Sequence, residues 1–107
     1  MLLSTTDTLD GRPVQEYLGV VTAEVVYGSN ALRDFFAGIR DIIGGRTGSY
    51  ERVFQQSQQE ALKELQQRAQ KLGANGVIGI RLSTGSIEIG NGGVLLLVTA
   101  TGTAVKI

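Results

Sequence analysis

Two segments, one in each half of the chain, carry apolar residues on both faces of a strand, and they restrict the fold more than any other feature. EYLGVVTAEVVYG (16–28) is rich in Val, Tyr and Thr and is closed by Gly28, and VLLLVTATGTAV (94–105) forms the last strand signal. On strand alternation Tyr17, Val21, Ala23 and Val25 fall on one side, with Leu18, Val20 and Val26 on the other. Likewise Leu95, Leu97 and Val105 oppose Val94, Leu96, Val98, Ala100 and Ala104. An antiparallel sheet covered by helices on one face ordinarily leaves a wet, polar second face. Here the pattern predicts a second face that meets another copy of the chain, and sheet edges that need pairing or cover.

Helical patterns fill the space between these strands. Ser29 or Asn30 can cap a helix from about Ala31 to Ile43, with Leu32, Phe35, Phe36, Ile39, Ile42 and Ile43 at helical spacing and Gly44-Gly45 ending it. After the link RTGS, a second helix is expected from about Tyr50 to Leu72. Its inward stripe is Phe54, Ala61, Leu65, Ala69 and Leu72. Seven glutamines among residues 55–70 alternate with that stripe and read as a solvated face rather than low complexity. Lys71 and Gly73 mark its end. Asn75-Gly76 turns the chain into the strand VIGIRL (77–82), and Gly90-Asn91-Gly92-Gly93 turns it into the last strand. The first dozen residues, with Asp10-Gly11 and Pro13, suit a short added strand and turn. The order is strand, helix, helix, strand, strand, in one domain over residues 1–107.

The first helix repeats a seven-residue phrase: Arg33-Asp34-Phe35-Phe36-Ala37-Gly38-Ile39, then Arg40-Asp41-Ile42-Ile43-Gly44-Gly45-Arg46. Seven residues are almost two turns, so Arg33 stacks under Arg40 and Asp34 under Asp41. No Arg–Asp combination in the phrase has the three- or four-residue spacing that pairs charges within a helix. A mid-helix glycine costs about 1 kcal/mol against alanine, and close approach of a neighbour justifies it. Arg33, Asp34, Ala37, Gly38, Arg40 and Asp41 are therefore the candidate subunit contact. A plain solvated charged face is the competing reading.

Composition removes several function classes. Ten basic and ten acidic residues cancel, and no block of one sign stands out, which argues against nucleic acid or an anionic membrane as partner. No cysteine is present, which excludes disulfides and thiolate chemistry and fits a reducing, cytoplasmic compartment. The start, MLLSTTDTLDG, has no basic region ahead of an apolar run, so no secretory signal is expected. The uncharged stretch 89–105 has an apolar centre of five residues, Val94–Val98, too short to span a bilayer.

RDFFAGIRDIIGGRTGSYE (33–51) resembles the central signature of the YbjQ family, small bacterial proteins carrying a heavy-metal-binding label. STTDTLDG near the start, EYLGVVTAEVVYG, LGANGVIGI (72–80) and GTAV (102–105) fall in the family's order, so the resemblance covers nearly the whole chain. It implies an α+β, two-layer β-α-α-β-β subunit with an antiparallel sheet, similar to dodecin subunits, with the last strand between the other two. It also implies a homopentameric ring joined by added short strands. Helical crossovers usually join parallel neighbours, so the residues alone would have favoured parallel pairing of the strands flanking the helices. Arg81 departs from the family, standing where an acidic residue is common. Arg40, Asp41, Arg46, Tyr50 and Glu51 match the signature, which comes without assigned roles.

The inventory favours binding or assembly over catalysis. Soft metals want thiolate, imidazole or thioether, and the chain has no Cys, no His and one Met. Carboxylates remain, among them Asp34, Asp41, Glu16, Glu24 and Glu51, and no metal site is assigned to them. With no His or Cys, the acid–base candidates shrink to Tyr50–Glu51, and a tyrosine opening an amphipathic helix is ordinarily core. Gly45, Arg46, Thr47, Gly48 and Ser49 could present backbone amides to an anion at the second helix's N-terminus. They form no P-loop, because the Gly-Lys-Ser/Thr ending is missing. The expectation is a non-enzymatic homo-oligomer without a cofactor. The alternative is a protein holding a metal ion or small anion between subunits.

Overall fold

The computed structural model describes residues 1–27, 48–89 and 93–107. The elements are β1 (Leu2–Leu3), β2 (Glu16–Tyr27), α1 (Gly48–Lys71), β3 (Gly76–Ile89) and β4 (Gly93–Lys106). The helix expected over 31–43 and the turn residues 90–92 lie outside the described residues. Among the described residues, no helix is long and apolar enough to cross a membrane.

The strands form one sheet in the order β1-β3-β4-β2. β4 lies between β2 and β3 and pairs antiparallel with both. The strands flanking the helical region are thus separated by β4, as the family resemblance implies and unlike the direct crossover pairing. The sheet is mixed rather than wholly antiparallel, because β1 pairs parallel with β3, Leu2 opposite Gly76 and Leu3 opposite Val77. At about 3.3 Å per residue, the 14-residue β3 and β4 account for most of the molecule's 50 Å longest dimension.

α1 packs its Val53, Ser57, Ala61, Leu65 and Ala69 side inward, and all five are buried. Ala61, Leu65 and Ala69 join Val21 and Ala23 of β2, Val77 and Ile80 of β3, and Val98, Ala100 and Ala104 of β4 in one core. So many alanines bring helix and sheet close together. Ser57 is buried, and its hydroxyl donates 2.6 Å to the Val53 carbonyl one turn back, so it is not left without a partner. Leu72, expected on the inward stripe, is exposed. The helix ends one residue before it, and the chain leaves through a Schellman turn. Ala74 N–H donates to Ala69 O at 3.1 Å and Gly73 N–H to Gln70 O at 2.9 Å, with Gly73 at φ +86°.

Two bulges decide which face each strand residue takes. In β2 the register with β4 shifts between Tyr17 and Gly19, where φ is +124°. The extra residue reverses the alternation. Leu18 therefore packs on the core with Val21 and Val25, and Tyr17 points away from it, the reverse of the sequence expectation. In β3 the register shifts between Ile78 and Arg81, around Gly79 at φ +62°. Val77 and Ile80 thereby both reach the core although their numbers differ in parity. The N-terminal segment fastens onto this bulge, Gly79 N–H donating to Thr6 O at 2.8 Å and Ile80 N–H to Ser4 O at 3.1 Å.

Candidate functional site

The sheet face turned away from α1 is ordered by the strand register into rows across β2, β4 and β3. They run Val20–Thr103–Ile78, Thr22–Thr101–Arg81, Glu24–Thr99–Ser83 and Val26–Leu97–Gly85. Ile87 opposite Leu95 continues one end, and Tyr17 opposite Val105 the other. The face is apolar at both ends with a polar band across its middle, so the two-sided apolar pattern read from the sequence holds only in part. Tyr17 is 70 % exposed, Val20 77 %, Val26 58 % and Ile87 52 %. Glu24 and Arg81 are the charged residues of these rows, of opposite sign and on different strands.

Between α1 and the β2 edge, Arg68 and Tyr27 each engage carboxylates. Arg68 donates through Nη2 to Glu64 Oε1 at 2.6 Å and through Nη1 to the Thr22 carbonyl of β2, with Glu24 Oε2 3.8 Å from Nη1. β2 is an outer strand of the sheet, so Arg68 caps part of a sheet edge. Tyr27 donates 2.8 Å to Glu60 Oε2, and Gln56 Nε2 lies 3.5 Å from Glu60 Oε1. Burial, followed by the hydrogen bond and charge of Glu60, pushes the Tyr27 phenol above its ordinary value. Among the described residues, no buried side-chain nitrogen or oxygen lacks a partner. An unmet polar group of the kind that waits for a ligand is absent from them.

An open groove of about 400 Å³ runs between β1 and α1, lined by Leu3, Leu62, Lys63 and the glutamines 59, 66, 67 and 70. Its walls are amides and aliphatic carbons with one ammonium, and it brings together no acid–base pair. Among the described residues no three Asp or Glu side chains converge as a metal site would require.

Most residues singled out in the sequence fall outside this geometry. Arg33, Asp34, Ala37, Gly38, Arg40 and Asp41 lie outside the described residues, as do Gly45, Arg46 and Thr47. Gly48 and Ser49 are the first two residues of α1, which puts these two at a helix N-terminus. Sequence reasoning missed the Arg68 and Tyr27–Glu60 fastenings. Glu64 and Arg68 carried a readable signal in their four-residue spacing. Tyr27 and Glu60, 33 residues apart, carried none.

Comparison with known proteins places this geometry in context. A family described as "Putative heavy-metal-binding" matches residues 1–107. The UPF0145 protein of Nostoc punctiforme is 68 % identical over 106 residues, covering 99 % of this chain and 98 % of the relative. A UPF0145 protein of Synechocystis is 66 % identical over 107 residues, covering 100 % and 99 %. A crystal structure from Pediococcus pentosaceus, of unknown function and assigned to the DUF74 family, superimposes with a TM-score of 0.68 at 22 % identity. It covers 100 % of this chain and 97 % of its own, which shows a shared fold.

Proposed function

This chain belongs to the YbjQ family over its whole length, and we propose that it is a non-enzymatic cytoplasmic protein that works as a homo-oligomer, a pentameric ring. The observation that carries this reading is the set of exposed apolar side chains on the sheet face away from α1, a face on which Ile78 and Val105 are themselves buried. Tyr17, Val20, Val26 and Ile87 are more than half exposed in the single chain, on a face that α1 leaves uncovered. Apolar groups gathered on one face mark an association surface. The five-fold count rests on the family resemblance. In a ring each copy uses two different surfaces; the exposed part of this sheet face is one, and the Arg33/Arg40 and Asp34/Asp41 columns are proposed as part of the other. The absence of His and Cys from the whole sequence and the engagement of Glu24, Glu60 and Glu64 by Arg68 and Tyr27 support a non-catalytic role.

Native mass spectrometry of tag-free protein tests the assembly, with the mass of five chains expected. A single-chain mass at micromolar concentration would refute it. One observation favours a second reading, a small anion held at Gly45–Ser49: α1 starts at Gly48, so Gly48 and Ser49 stand at the positive end of a helix. Phosphate should then raise the melting temperature, and Arg46→Ala should abolish the rise. An equal rise in the variant would leave the link a connector.

A further inference from the structure

The heavy-metal description of the family can be tested against the donors this chain has. Zinc, cadmium and copper(I) are held at protein sites chiefly by thiolate, imidazole or thioether, usually several at once, and the carboxylates that join zinc sites ordinarily accompany such donors. The sequence contains no cysteine, no histidine and one methionine, Met1. Assembly multiplies the copies of each donor but adds no new kind, so a ring gains thioethers and carboxylates and still has no thiolate or imidazole.

The structure narrows the oxygen donors as well. Of the ten acidic residues, Glu24 and Glu64 face Arg68, at 3.8 and 2.6 Å. Glu60 accepts from Tyr27 and Gln56, and Glu16 stands opposite Lys106 in the β2–β4 register. A metal at Glu24, Glu64 or Glu60 would have to displace a cation or a hydroxyl already in contact. Carboxylates are also hard donors, suited to magnesium, calcium or manganese rather than to soft ions.

We infer that the heavy-metal description does not extend to this chain, which builds no site for a thiophilic metal ion. The test uses the assembled, tag-free protein, so that donors from neighbouring copies count. It is dialysed separately against zinc, cadmium and copper(I) at neutral pH. Bound metal is counted by plasma mass spectrometry, and thermal unfolding is followed in parallel. No stoichiometric metal should be retained at micromolar free concentration, and the melting temperature should stay unchanged. A saturable submicromolar site for any of the three ions, per chain or per assembly, would overturn the inference.

Discussion

The Tyr27 hydroxyl, on the last residue of β2, donates a 2.8 Å hydrogen bond to the Glu60 carboxylate near the middle of α1. It joins strand and helix 33 residues apart in sequence. Tyr27→Phe keeps the ring and removes the donor, and should cost about 0.5–1.5 kcal/mol at neutral pH. The phenol titrates above its ordinary 10.0 in the folded chain, chiefly through burial and then through Glu60. Its contribution is therefore complete below that value and is lost as pH rises through the raised pKa. Urea unfolding of both proteins between pH 7 and the alkaline limit checks this. The gap between them should close above pH 10, and a pH-independent gap would be wrong for this linkage.

Arg68 holds three oxygens from one position, those of Glu64, Glu24 and the Thr22 carbonyl. The group is part-exposed and screened, so Arg68→Ala should cost only about 1 kcal/mol. Arg68→Lys should recover little of it, because an ammonium cannot reproduce the forked donation to carboxylate and carbonyl. The cost should shrink only partly in high salt, since the carbonyl bond involves no second charge. Denaturant unfolding of the two variants at low and high salt measures all three points. A lysine variant equal to the wild type would show that only charge matters.

Gly102 sits on β4 where the strand passes the β3 bulge. A Cβ there would lie 2.6 Å from Val77 Cγ1 and 3.2 Å from Ile80 Cγ1, both on buried core side chains, and 3.3 Å from the Ile78 carbonyl oxygen. Gly102→Ala should thus destabilise by about 1–3 kcal/mol through overpacking. Gly102→Ala with Val77→Ala should recover part of that loss. Thermal or urea unfolding of the single and double variants decides it, and a neutral Gly102→Ala would mean that Val77 and Ile80 of β3 can repack without cost.

Much of this architecture could be read from residue patterns. β2, β4 and α1 stand close to where Val-rich runs, an apolar helical stripe and Gly73 place them. The central position of β4 came from the family resemblance, since the crossover rule alone favours β2 beside β3. Leu18 and Tyr17 changed faces because one bulge residue reverses the period of two, and Gly19 inside an apolar strand was the visible warning. β3 extends past Leu82 to Ile89 although Ser83-Thr84-Gly85-Ser86 has weak strand character. Its ladder with β4 supplies what local propensity does not. The candidate site was less legible. The polar band Thr22–Thr101–Arg81 exists only once three strands are in register, and sequence distance hides such rows.

The central claim is self-assembly through the sheet face opposite α1. Sedimentation velocity of the wild type beside a Val20→Ser, Val26→Ser double variant tests it most directly. Both side chains are largely exposed in the single chain, so the variant should retain the wild-type circular dichroism spectrum. The wild type should sediment as one oligomeric species at micromolar concentration, and the variant should shift to smaller species. A wild type that sediments as a single chain, or a variant that keeps the wild-type oligomer, would contradict the account.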